Sequence, residues 1–196
     1  MSKSAAAERL PTFAELYLAI EALPPGLTGE ILEPGLIRTM ARPGAAHRFA
    51  TRGIPRSLGG DDAVEGGAWW LEQEAEVRLL GDRLVVPDLA GWRLTAEETR
   101  PPACIADNPI ERRPDWCCEV LSPSTEAIDR ETKVPLYARA GVEWIWLVDP
   151  RTRRIEVLRT AGAEARPIEI VVGDARRAIP PFESELDTSR WWLPTP

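Results

Sequence analysis

Cysteine is scarce in this chain of 196 residues. The three present, Cys104, Cys117 and Cys118, are an odd number, two of them adjacent, and no Cys-x-x-Cys or Cys/His spacing accompanies them. A disulfide framework and a structural zinc site are therefore not expected, and unpaired thiols suit a reducing compartment. Histidine is represented by His47 alone, and no Ser/His/Asp arrangement is evident. Phosphate-cradling glycine motifs are missing. No stretch approaches the roughly 18 apolar residues of a membrane span, and residues 1–10 lack the apolar run of a signal peptide. These absences lead to the expectation of a soluble, cytoplasmic protein without a membrane partner.

The length fits one domain over 1–196. Apolar residues make up 44% and charged residues 28%, which excludes wholesale disorder. A chain of this size buries about 70% of its unfolded surface and needs no staple. The net charge of −7 argues against a generic nucleic-acid coat, but it is unevenly spread. Residues 1–60 hold 7 basic and 5 acidic groups, residues 61–148 hold 9 and 18, and residues 149–196 hold 8 and 8. Arg38, Arg42, His47, Arg48, Arg52 and Arg56 fall in an acid-free stretch. An acidic middle beside a basic stretch suits a metal site next to a phosphate-binding surface, or simply two solvated faces.

Periodicity predicts a helix over 12–23, with Thr12 and Glu15 as a capping box. A short strand pair follows around Pro34-Gly35, then a helix over 45–52 broken near Gly53 and Pro55. Residues 69–80 read as one strand, with Glu72, Glu74, Glu76 and Arg78 on one face. A second strand runs from Leu84 through Pro87 to Trp92. Residues 95–113 form a Pro-rich connection, partly helical at 96–99. A buried strand over 116–121, a helix over 126–140 ended by Gly141 and an apolar strand over 144–148 imply a parallel pair. Residues 155–159 and 168–172 suit a C-terminal hairpin, and Trp191-Trp192 should pack back on the body. The expected fold is α+β, a mixed β-sheet flanked by helices, with the core over about 28–150 and the hairpin and tail over 151–196.

Three residues could bear chemistry. Glu119 sits in an apolar strand, Trp116-Cys117-Cys118-Glu119-Val120-Leu121, where a carboxylate needs a basic partner, a hydrogen bond or a metal ion. A buried arginine pair would serve equally. Asp88 follows Pro87, whose missing donor places an edge or bulge there, although Pro-Asp also makes a plain turn. Lys133 lies four residues after Asp129, the spacing of an exposed helical pair, and Pro135 should bend that helix. Together, two carboxylates and a lysine are a set that Mg²⁺ and a phosphodiester would use.

The string Val86-Pro87-Asp88-Leu89-Ala90-Gly91-Trp92, then Glu119-Val120-Leu121-Ser122-Pro123-Ser124-Thr125, Lys133 to Val142 and Trp146-Leu147-Val148-Asp149-Pro150, resembles the Uma-two restriction-endonuclease family within the PD-(D/E)XK nuclease superfamily. The resemblance spans roughly residues 12–192. It implies a restriction-endonuclease-like core, with Asp88 and Glu119 binding Mg²⁺ or Mn²⁺. Leu121 stands where the plain pattern has lysine, and Lys133 on the next helix is the family's substitute. Glu30 is implied as a further acid of the site. The activity implied is metal-dependent hydrolysis of DNA phosphodiesters; a catalytically silent member that binds nucleic acid or protein is the alternative.

Other residues have weaker claims. His47, Arg48 and Arg52 are candidates for DNA phosphate contacts, with a packing role for His47 the simpler reading. Tyr137 reads as core, and Ser122, Ser124 and Thr125 as caps of the following helix. A homodimer suits a symmetric double-strand cut, with tryptophans toward the chain ends as an interface. Loops 59–67 and 95–113 would supply any sequence preference.

Overall fold

The computed structural model describes residues 9–40, 43–59, 68–99 and 101–194; Arg42 and loop residues 60–67 lie outside them. Helix α1 (Phe13–Glu21) opens with the expected capping box: the Glu15 amide donates to Thr12 Oγ1, and the Thr12 amide donates to Glu15 Oε2 at 2.7 Å. Its Leu16 and Ile20 pack with Ile31 and Leu84. Strands β1 (Thr28–Glu33) and β2 (Leu36–Met40) form the expected hairpin, with Gly35 at φ +76° in the turn.

Helix α2 (Ala45–Ser57) corrects the expectation of a break, because it runs through both Gly53 and Pro55. The physical reason is burial. Ala50, Ile54 and Leu58 enter the main core, and that packing outweighs the backbone bond Pro55 cannot make. Glycine is needed at 53, since a Cβ there would stand 2.7 Å from the Arg190 carbonyl oxygen.

The hairpin over 69–93 is also corrected. Each expected strand is two strands: β3 (Trp69–Gln73) and β4 (Val77–Leu79), then β5 (Arg83–Val85) and β6 (Leu89–Arg93). The breaks fall at the same level. Glu74 turns into positive φ (+52°), and its amide donates to the Asp88 carbonyl across the corner at 3.3 Å. The half near the turn joins a four-stranded sheet, β2-β1-β5-β4, while the other half joins a six-stranded sheet. Pro87, lacking a donor, occupies the corner where no ladder bond is required. The segment 96–99 is turn rather than helix, and the short 3₁₀ helix lies at Ala103–Ala106.

Strand β7 (Trp116–Val120) leads into one irregular helix. It comprises α3 (Glu126–Ile128), a π-helical turn (Asp129–Lys133) and α4 (Val134–Ala140), and ends at Gly141 with φ +82°. The π turn sits just ahead of Pro135, where a disturbance was expected. Strand β8 (Trp144–Asp149) pairs parallel with β7; β9 (Arg154–Ala161) and β10 (Glu164–Val172) form the C-terminal hairpin, longer than expected. The six-stranded order is β10-β9-β8-β7-β6-β3, with β7–β8 its one parallel pair. A small ribbon, β11 (Arg176–Arg177) with β12 (Leu186–Asp187), completes the described chain.

Core residues cover both faces of the large sheet, alternating along each strand. Trp116, Cys118 and Val120 join α2, Trp146, Phe182 and Trp191 in one cluster. Cys117 joins Leu136 and Tyr137 of α4 in the other. Trp191 and Trp192 are 0% and 3% exposed, packed back as expected, so the tryptophans near the C-terminus cannot form the exposed dimer interface anticipated for them. Indole rings this large find their best apolar cover in the protein's own core. Among the described residues no helix is long and apolar enough to cross a membrane.

Candidate active site

The corner of the split hairpin places Asp88 at the mouth of β6. Leu89 pairs with Cys118, and that antiparallel register, carried one residue further, sets Asp88 opposite Glu119. The Asp88 Oδ2 accepts the Val120 amide at 2.7 Å, so the loose end of one strand is pinned to its neighbour by the side chain itself. By strand alternation Glu119 shares the face of Cys117, toward α4.

Lys133 comes to Glu119 from the π turn. It is 3% exposed, against 2% for Glu119 and 1% for Glu30. Its Nζ stands 2.9 Å from Glu30 Oε1, 3.2 and 3.3 Å from the two Glu119 oxygens, and 3.3 Å from the Val86 carbonyl oxygen. Asp129 Oδ1 is 3.9 Å away. The exposed Asp129–Lys133 pair considered from spacing alone is thus replaced by a buried cluster, and the partner of Glu119 is a lysine rather than an arginine. Glu30 Oε1 also accepts the Val86 amide at 2.8 Å, tying β1 to the corner. Tyr137, read as core, donates its hydroxyl to Glu119.

His47 is corrected from a packing residue to a partner of the site. Its Nε2 lies 3.0 Å from Asp88 Oδ1, and its Nδ1 lies 3.3 Å from Thr51 Oγ1 on the next turn of α2. Ser122 and Thr125 do not cap the helix; their hydroxyls bond each other at 2.9 Å. A cleft of about 490 Å³ opens here, lined among others by His47, Glu74, Asp88, Thr125, Asp129 and Lys133. Glu119 and Glu30 do not line it and meet it through Lys133. Arg48 donates to the Pro43 carbonyl, and Arg52 is exposed on the same helix face.

The electrostatics follow from four carboxylates around one buried ammonium. Burial opposes the charge on Lys133, but Glu119, Glu30, Asp129 and Asp88 outweigh it and hold the group protonated. Burial pushes the Glu119 carboxyl well up; Lys133 opposes this, and Asp129, Asp88 and Glu30 add to it. Asp129 is pushed up to about 6, first by burial, against the pull of Lys133 and a hydrogen bond from Thr125. Burial disfavours charged His47, yet its contact with Asp88 and the nearby Asp129 and Glu74 raise its pKa.

Asp129 gives a measurable consequence. Its ordinary value is 3.8, so the folded state binds the proton more tightly, and the ionised form weighs against folding above about pH 6. The contribution of this group to stability should therefore rise as pH falls from about 6 toward 4. In EDTA at pH 8, Asp129→Asn is expected to stabilise by up to about 3 kcal/mol and to change little at pH 4. Urea unfolding at the two pH values measures this; equal stability of variant and wild type at pH 8 would contradict it.

Among the described residues no three His, Cys, Asp or Glu side chains form a ready metal cage. Mg²⁺ asks for less, one or two carboxylates with waters and substrate phosphate. Asp88 fits that requirement by donor chemistry, as a hard oxygen ligand lining the cleft in a surplus of negative charge, while Glu119 stands at the facing strand position with its oxygens held by Lys133 and Tyr137.

The sequence matches the Uma2 family, described as "Putative restriction endonuclease", over residues 14–189. The chain belongs to the Uma2 family. A solved structure from Anabaena variabilis, a "putative nuclease belonging to DUF820", superposes with a TM-score of 0.70 at 21% identity, covering 93% of this chain and 97% of that one. The likeness is one of fold, and the Uma2 chain has the restriction-endonuclease-like mixed sheet with flanking helices. No curated protein matches it. Asp129, read from spacing as an exposed partner of Lys133, and Tyr137, read as core, both join the buried cluster. Both lie four residues from Lys133, on either side, so the helical period puts them beside it.

Proposed function

We propose that the protein is a metal-dependent endonuclease that hydrolyses DNA phosphodiester bonds with an activated water. The observation that supports this reading is the convergence of Glu30, Asp88, Glu119 and Lys133, from four separate parts of the chain, on one cluster of a Uma2-family protein, of which Asp88 and Lys133 line the cleft. Asp88 and Glu119 would hold Mg²⁺ or Mn²⁺, which when bound lowers the pKa of a water and neutralises charge on phosphate. Lys133 offers the cleft a fixed positive charge suited to the charge that develops on phosphorus oxygens. Glu30 and Tyr137 are positioning residues, acting through Lys133 and Glu119. His47, on Asp88, orients that carboxylate, and Arg48 and Arg52 stand where flanking phosphates would pass. Two copies related by a two-fold axis would cut both strands symmetrically.

One observation favours a second reading, binding without cutting: Glu119, Lys133 and Tyr137 are buried and satisfy one another, as a structural cluster does. Supercoiled plasmid and linear DNA incubated with Mg²⁺, Mn²⁺ or EDTA separate the two. Cleavage that EDTA abolishes is expected. DNA retained but uncut under every metal, by a cooperatively folded protein, would favour binding alone.

A further inference from the structure

The cleft that holds Asp88 continues along α2. A second concavity, about 430 Å³, is lined by Arg48, Thr51 and Arg52, and shares Pro43, His47 and Glu74 with the first. A third, about 680 Å³, takes Arg52 from the second and adds Arg56, Arg176 and Arg190. The three therefore run into one another, from the carboxylates to the C-terminal segment. Arg48, Arg52 and Arg56 stand four residues apart on an unbroken helix, on one face and about 6 Å apart along its axis.

Arg112, Arg130 and Arg151 are each ion-paired. Arg52, Arg56 and Arg190 are exposed and make no ion pair or side-chain hydrogen bond among the described residues. Arg38, Arg113 and Arg139 are likewise exposed without an ion pair among those residues, but here three such arginines line one cleft. Glu185 and Asp187 also line the third cleft, but Asp187 is taken up by Arg176 at 3.2 Å and by Ser189. Four arginines against two acids leave a local positive surplus in a protein of net charge −7. Like charges gathered without partners suit an anion with several phosphates, which guanidinium groups grip in bidentate fashion. Trp192 in this cleft is 3% exposed and offers no open ring face, so base stacking is not what the surface is shaped for.

We infer that this run of clefts is a track for the phosphodiester backbone of duplex DNA, in which Arg52, Arg56 and Arg190 contact phosphates beyond the bond at Asp88. The inference rests on the nuclease reading for its substrate class, but its test needs no cleavage. Fluorescence anisotropy of a labelled DNA duplex in EDTA, at a series of salt concentrations, compares wild type with the R52Q/R56Q/R190Q protein. The triple variant is expected to bind at least roughly tenfold more weakly, with the salt slope reduced by about one per arginine. Arg166→Gln, an exposed arginine of β10, should bind as wild type does. Thermal melting checks folding; if the triple variant is unstable, Arg56→Gln alone should still lower the slope by about one.

Unchanged affinity and slope in the folded triple variant would overturn the track, whether or not plasmid is cut. An equal loss in Arg166→Gln would overturn it too, since the attraction would then be diffuse. No binding of duplex by wild type would have the same effect. A loss confined to the α2 and Arg190 substitutions supports the track even if no metal elicits cleavage, in which case the nuclease reading fails alone.

Discussion

Replacing Lys133 with methionine is expected to destabilise the protein by roughly 3–5 kcal/mol, the range for removing one partner of a buried ion pair. The side chain is 3% exposed and is, among the described residues, the one cation touching both Glu30 and Glu119. Methionine fills a similar volume but leaves those carboxylates, with Asp129, facing one another out of water. Against a total stability of about 5–15 kcal/mol, such a loss approaches unfolding. The pH dependence has a definite sign. Lys133 is held above its ordinary value, so its contribution is complete below the unfolded pKa near 10.5 and is lost only in strong alkali. The defect of the variant should shrink on acidification, as Glu119 and Asp129 take up protons. Urea unfolding in EDTA at pH 8 and pH 5 measures both effects. Adding Glu119→Gln to Lys133→Met should recover part of the loss, because the double change removes a charge from each side. A single variant within about 0.5 kcal/mol of wild type, the range of an ordinary surface change, would show that the cluster does not stabilise the fold.

Asp88→Asn is expected to lower metal-dependent plasmid cleavage by about 100-fold or more, since even outer-shell changes at metal sites reach that size. Asparagine is the informative substitution. Its amide oxygen can still accept the Val120 amide that pins β6 to β7, so the corner is preserved while the charge is lost. His47 supplies an independent readout. It is the only histidine, hence a single imidazole signal in an NMR titration. Asp88 contributes to raising its pKa, so the titration midpoint should fall in the variant. Initial nicking rates in Mg²⁺ and that midpoint test the same carboxylate from two directions. Wild-type cleavage with a shifted His47 would remove Asp88 from the chemistry while leaving the contact intact.

Much of the site was legible before the fold. Asp88, Glu119 and Lys133 stand out as candidates by residue type, spacing and family resemblance, and Glu30 by the resemblance alone. The capping box at Thr12, the stop at Gly141 and the strands around Glu119 are local matters, and local sequence decides them. Local pattern does not decide what depends on a distant neighbour. Two strands read as continuous because apolar alternation persists through Glu74 and Pro87, while the decision to divide them between two sheets belongs to β1 and β7. Helix α2 read as broken because Gly53 and Pro55 are poor helix formers; the C-terminal segment crossing at Gly53 and the core around Ile54 outweigh propensity.

The partner of Glu119 shows the same division. The apolar strand around it required some compensation for a buried charge, and that requirement follows from sequence alone. Which group provides it depends on the helix after β7. Its π turn swings Lys133 inward, and its next turn brings the Tyr137 hydroxyl to the same carboxylate. Lys133 is one of only two lysines among 24 basic residues, and a compact ammonium with three donors suits a site where Glu30, Glu119 and the Val86 carbonyl arrive from different directions. The need for a cation was thus written in the strand. Its identity, its burial and its surplus of acidic neighbours were decided only when β1, the hairpin corner and that helix met, because electrostatic energies in a dry interior depend on distances that no local pattern encodes.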